Sequence, residues 1–192
     1  MKRDHLIEAV KQQMPEKRWI HTLGVMETSV ALAEQYGADT DKADLAALLH
    51  DYCKYWPIEK QKEWLIKENL PALLLDYDKQ LWHGPVAAEV VQQEFSIKDE
   101  DVINAIRYHT SGRTNMSLLE KIVCLADYIE PGRDFPGVDE IRELSKQSIE
   151  KALIAGFDST ICFLISKGKA IFPLTMETRN ALIFETKNSK EE

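Results

Sequence analysis

Four histidines and two aspartates carry the chemistry legible in this chain. His50 and Asp51 stand side by side at the end of the apolar run Leu45-Ala46-Ala47-Leu48-Leu49. Burying either side chain without a partner costs several kcal/mol. His21 lies on the helical line His21, Val25, Thr28, Leu32, and His109 ends the line Val102, Ala105, Ile106, His109. His83 stands before Gly84-Pro85, at an expected helix start, and Asp127 interrupts the apolar run Ile122 to Ala126. Each has an ordinary structural reading taken alone: a hydrogen-bonded core histidine, a turn residue, or a paired carboxylate. Six such residues from five helices or helix ends imply a common site, because the inward faces of a bundle converge. Neutral imidazoles with carboxylates suit a first-row divalent metal. Two metals about 3.5–4 Å apart activate a water and clamp a phosphoryl oxygen. Asp51 is the natural bridge between them, since His50 beside it serves one metal. His5 lies in a polar first turn and is left outside the set.

The elements that must position these residues read as helices. Expected spans are Asp4–Met14, Pro15 to Gly37, Thr40 to Tyr52 (capped by Asp39 or Thr40), and Ile58–Glu68 after Pro57. Further spans start at Gly84-Pro85 and end at Phe95, then cover Asp99–His109, Ser117–Ile129, Val138 to Ser166 and Thr175–Phe184. In the second helix, Trp19, Leu23, Met26, Val30 and Ala33 form an apolar stripe at 3–4 spacing. No alternating stretch demands a strand, and glycines and prolines punctuate the helices. The expected fold class is all-α, an irregular helical bundle. One domain covers residues 1–186, followed by a frayed polar tail, 187–192.

The 192 residues make one domain on length. Hydrophobic residues are 44% and charged residues 29%, an ordinary globular balance. A net charge of −8 argues against coating nucleic acid, which wants a basic face, but leaves room for a small phosphorylated substrate. Cys53, Cys124 and Cys162 are odd in number and far apart, so they read as buried thiols rather than a disulfide framework. No apolar run approaches the ~18 residues of a membrane span, and no leader pattern opens the chain; the expectation is a cytoplasmic protein without a membrane partner.

The order H…HD…H…H…D resembles the signature of the HD-domain superfamily of metal-dependent phosphohydrolases. The segments Arg18-Trp-Ile-His21-Thr-Leu-Gly24, Leu49-His50-Asp51-Tyr-Cys-Lys54, His83-Gly84-Pro85, Ala105-Ile-Arg107-Tyr-His109-Thr110, Leu125-Ala-Asp127-Tyr-Ile-Glu130-Pro-Gly-Arg133 and Pro173-Leu-Thr-Met-Glu-Thr-Arg179-Asn180 resemble those of its YqeK family. Cys53 is a soft departure, where that family often has a smaller residue. The resemblance implies an HD-type helical fold, a di-iron-type centre, and symmetrical hydrolysis of diadenosine tetraphosphate to two ADP. It also implies that His21, His50, Asp51 and Asp127 bind one metal and His83 and His109 the other, with Asp51 bridging. The donors alone also accommodate manganese, cobalt, nickel or zinc.

Substrate contacts are read from cations near these motifs. Lys54 follows Asp51 by one helical turn and leans toward the metals, where it would neutralise a phosphate. Arg133, on the loop Pro131-Gly-Arg-Asp-Phe-Pro-Gly137, suits bidentate phosphate recognition. Arg18 lies on the face of His21 and reads equally as a phosphate contact or a salt bridge. Thr110, Arg179 and Asn180 are further candidates. Trp56, Trp64, Trp82 and Tyr108 offer stacking surface, although aromatic residues at helical spacing are usually core. Apolar residues in the final helices read as a homodimer face or as core. Two other functions keep the same residues: an HD-type phosphatase or pyrophosphatase acting on another nucleotide, and a non-catalytic nucleotide sensor.

Overall fold

The computed structural model describes residues 3–188, which form ten α-helices, two short 3-10 turns and no strand. The helices are α1 (Arg3–Lys11), α2 (Glu16–Tyr36), α3 (Thr40–Leu49), α4 (Ile58–Lys67), α5 (His83–Phe95), α6 (Glu100–Tyr108), α7 (Leu118–Ile129), α8 (Val138–Ser145), α9 (Ile149–Ser166) and α10 (Pro173–Asn188). The 3-10 turns, Ala72–Asp76 and Lys79–Leu81, link α4 to α5.

Helix α3 buries one face in the bundle. Its residues Ala43, Ala46, Ala47, Leu48 and Leu49 are fully buried, while Asp41 is exposed and Lys42 and Asp44 are half-buried, the pattern of a helix with one face in the core. It packs on α2, α6 and α7, and α5 packs on α6. The many alanines of α3 allow this close approach. Asp39 caps it by accepting from the backbone N–H groups of Asp41 and Lys42, as Asp99 caps α6 through Asp101 and Val102. Helix α7 starts with a full capping box between Ser117 and Glu120. Helix α2 ends on Gly37, whose left-handed φ of 76° suits a residue without a Cβ.

Several expectations need correction. The single helix expected over Val138 to Ser166 is two, because Ser148 is extended and caps α9 through the N–H of Lys151. Helix α3 stops at Leu49 and not at Tyr52. The buried face of α2 is Trp19, Thr22, Val25, Met26, Ser29, Leu32 and Ala33, while Leu23 is exposed and Val30 half-buried. Cys53 and Cys124 are buried, but Cys162 is exposed. Trp56 and Trp82 belong to the core, their indole N–H groups donating to Gln13 and to the Leu74 carbonyl. Helix α10 continues to Asn188, and residues 189–192 of the expected tail lie outside the described residues. No helix among the described residues is long and apolar enough to cross a membrane.

Candidate metal centre

Five helices deliver the six singled-out residues to one place. His21 projects from the interior of α2, and Asp127 from the last turn of α7. His50 and His109 each sit one residue past the end of a helix, α3 and α6. His83 is the first residue of α5. There, Pro85 lies in a first turn whose N–H groups have no intrahelical acceptor in any case. His50, Asp51, His83 and His109 are at most 2% exposed, and His21 is 8% exposed.

The two carboxylate oxygens of Asp51 face two groups of imidazoles. Oδ2 lies 3.1 Å from His50 Nε2 and 3.9 Å from His21 Nε2. Oδ1 lies 3.0 Å from His83 Nε2 and 3.8 Å from His109 Nε2. Asp127 Oδ1 is 2.9 Å from His21 Nε2. Two overlapping sets, His21-His50-Asp127 and His50-Asp51-His109, bring their donor atoms within 4.8 Å of one another.

The outer nitrogens explain why the inner ones are free. His50 Nδ1 donates to the Ala47 carbonyl at 2.6 Å and His109 Nδ1 to the Ile106 carbonyl at 2.8 Å. Both carbonyls lie three residues upstream, so each helix end holds its own histidine. His21 Nδ1 faces the Glu130 carboxylate at 2.9 Å. A carbonyl or carboxylate accepts only, so these rings carry their proton on Nδ1 and turn a lone pair on Nε2 inward. His21 Nε2, His50 Nε2 and Asp51 Oδ1 consequently lack an aligned hydrogen bond. Each such buried group costs about 1–3 kcal/mol unless something satisfies it. The donor set fits a divalent metal, which would satisfy all three.

The electrostatics agree. Burial, with the Lys54 charge next, pushes His83 down to about 4, and burial with the neighbouring His83 holds His109 well below its ordinary value. These imidazoles are neutral near pH 7, the form that ligates metal. Burial alone would raise the Asp51 and Asp127 carboxyls. It is outweighed by the Lys54 charge beside Asp51 and the Arg133 charge beside Asp127, and both acids lie well below the usual carboxylate range.

The expected substrate contacts divide. Lys54 Nζ is 3.3 Å from Asp51 Oδ1 and 3.4 Å from His83 Nε2. Thr110 Oγ1 is 3.0 Å from His109 Nε2. Arg133 pairs with Asp127 Oδ1 and donates from Nε to the Asp127 carbonyl at 2.6 Å. Arg18 is an ion-pair partner of Asp51. Arg179 instead binds Asp158 on α9 at 2.8 Å and also touches Asn180. A cleft of about 840 Å³ opens from the cluster, lined by His109, Thr110, Asp127 and Arg133 together with Phe135, Pro136, Ser159, Thr160 and Phe163. Neither Arg179 nor Asn180 lines it. Glu130, part of the motif from Leu125 to Arg133, is a site residue whose role the sequence pattern does not reveal. It is 3% exposed and touches His21 across 109 positions of chain. Its signals are its place in that motif and a carboxylate just past a helix end, before Pro131-Gly132.

Comparison with known proteins places this arrangement. Residues 18–132 match the HD domain model. The chain is 50% identical over 183 residues to a symmetrical bis(5'-nucleosyl)-tetraphosphatase of Bacillus subtilis, covering 95% of this chain and 98% of that protein. It is 47% identical to the protein of the same name from Halalkalibacterium halodurans, over 97% of this chain and 100% of the other. A crystal structure from Clostridium acetobutylicum, described as a predicted HD superfamily hydrolase involved in NAD metabolism, superposes with a TM-score of 0.92 at 44% identity, covering 96% of this chain and 98% of that one. With the histidine-aspartate cluster inside the matched segment, the chain belongs to the HD-domain family of metal-dependent phosphohydrolases, in the branch of these symmetrical tetraphosphatases.

Proposed function

We propose that this enzyme cleaves diadenosine tetraphosphate symmetrically into two ADP at a dinuclear metal site, with iron as the resident metal. The observation that carries the dinuclear reading is the division of labour within Asp51, one oxygen toward His21 and His50 and the other toward His83 and His109. His21, His50, Asp51 and Asp127 would hold one ion, and His83 and His109 the other, with Asp51 shared. Bound divalent metals supply a more acidic water and positive charge for phosphate oxygens.

The chain's own residues do the rest. Lys54 and Arg133 flank the cluster and neutralise phosphate charge, Arg133 with the planar fork that matches a phosphate. Arg18 and Thr110 stand beside Asp51 and His109 as further phosphate contacts. Substrate binding would draw Lys54, Arg18 and Arg133 from the carboxylates they now touch. The cleft next to Arg133 has apolar walls at Phe135 and Phe163 and hydroxyls at Ser159 and Thr160, a surface suited to a nucleoside. Water oxygen joins one of the two central phosphorus atoms. The oxygen between them leaves with the other ADP, and the water protons are lost to solvent or leaving group.

Chromatography of products tests this. Purified protein with diadenosine tetraphosphate and manganese should release ADP alone. ATP plus AMP, or brisk phosphate release from another nucleotide without turnover of this one, would favour the phosphatase or pyrophosphatase reading. Tight binding without turnover by fully metal-loaded protein would favour a sensor.

A further inference from the structure

We propose that Glu130 is a positioning residue for the metal centre, acting through His21, and that Gly24 exists in part to admit it; this rests on the metal reading above. Pro131 disfavours helical backbone at the residue before it, and Glu130 leaves α7 with φ −49° and ψ 152°. Its carboxylate turns back onto α2. Oε1 accepts a hydrogen bond from the Nδ1–H of His21 at 2.9 Å, and Oε2 accepts from the backbone N–H of Gly132. The side chain is 4% exposed. His50 and His109 have their tautomer set by carbonyls of their own helices. His21, in mid-helix, has no such carbonyl free, since those of α2 are used in the helix itself. The carboxylate replaces it and adds charge, which makes the imidazole a better metal donor.

Two neighbours keep Glu130 in place. A Cβ at Gly24 would stand 2.6 Å from Glu130 Oε2, so only glycine leaves room. Arg142 on α8 ties down the turn: Nε donates to the Ile129 carbonyl at 3.1 Å, and Nη2 donates to the carbonyls of Glu130 and Arg133 at 3.0 and 2.9 Å. The same guanidinium therefore holds both the residue that aims His21 and the backbone of Arg133. Gly24→Ala is the sharper probe. The clash falls on the far end of a flexible side chain, so the fold survives while the carboxylate is driven off His21.

The test measures manganese(II) affinity by chelator competition, and ¹⁵N NMR of the imidazoles in metal-free protein. Wild-type protein should bind manganese with its His21 ring protonated on Nδ1. Glu130→Ala and Gly24→Ala should each weaken binding about 10–100-fold. Both should give His21 a mixture of tautomers, and Glu130→Gln, which keeps an acceptor, should restore much of the loss. The double variant should match Glu130→Ala within about 2-fold, because the added methyl then has nothing to displace. Failure of wild-type protein to bind manganese would overturn the metal reading itself. Tight wild-type binding with unchanged affinity and tautomer in Gly24→Ala and Glu130→Ala would overturn the positioning role alone, as would losses that multiply in the double variant.

Discussion

Asp51 is the residue on which the site depends. It is fully buried and surrounded by four imidazoles, Lys54 and Arg18. Asp51→Ala should reduce hydrolysis at least 1,000-fold, on the order of 4 kcal/mol of barrier, with helical circular dichroism retained. Activity within 10-fold of wild type would contradict the shared-carboxylate role. His5→Ala, an exposed position outside the cluster, should leave the rate unchanged. The chemistry-bearing residues are legible in the sequence because an apolar run rarely tolerates histidine or aspartate unless a partner satisfies it. The role of Glu130 is not legible, because it comes from a partner 109 positions away. Cys162 departs from expectation because its apolar neighbours Phe163 and Ile165 are themselves exposed, so local hydrophobicity does not report burial there.

At the scale of elements, the site is made of helix ends. Three of its histidines sit at or just past a terminus, where the backbone is free to hold a ring or to start a new direction. Gly84 shows how tightly the ends meet. A Cβ there would lie 3.0 Å from the Arg107 carbonyl and 3.2 Å from His109 Cε1. Gly84→Ala therefore asks α5 or the end of α6 to give by a few tenths of an ångström, which is expected to disturb the approach of His83 to His109. Turnover should fall at least 10-fold, together with a loss of about 1–3 kcal/mol in stability; a variant indistinguishable from wild type in denaturant titration and in rate would show that the two ends have slack. The start of α7 and the caps of α3 and α6 are legible as Ser, Asp and Asp before apolar runs. The break at Ser148 is not, since Ser145-Lys-Gln-Ser148 contains neither glycine nor proline and apolar residues continue on both sides. On α2 the true core stripe includes Thr22 and Ser29, small polar residues that periodicity of apolar types passes over.

For the whole molecule, the cluster stores polar groups that the fold alone leaves unsatisfied, so metal and stability are coupled. A divalent metal held by the cluster would bind the folded form preferentially, and manganese at 100 times its Kd should add about 2.7 kcal/mol. Metal-free protein should be acid-sensitive in a defined window. His83 titrates at about 4 in the fold against an ordinary 6.5. The unfolded chain therefore takes up a proton first, and stability falls as pH drops from 6.5 toward 4. By pH 5 the His83 contribution amounts to roughly 2 kcal/mol. His109 acts in the same direction, and the depressed Asp51 and Asp127 carboxyls lose their contribution at lower pH still. Urea titrations at pH 7 and pH 5 check this; equal midpoints would mean the imidazoles are not held neutral by burial. The all-α class and the convergence of five elements are legible from punctuation and pattern. The cleft lined by Phe135 and Phe163 is not, because its lining comes from the loop before α8 and from α9, separated in the chain.

The central claim is a pair of metals sharing Asp51. Anomalous scattering from crystals of the manganese-loaded protein measures it directly. Two peaks about 3.5–4 Å apart, one beside His21, His50 and Asp127 and one beside His83 and His109, with one Asp51 oxygen on each, is the predicted result. A single peak, or two peaks of which only one touches Asp51, would contradict it.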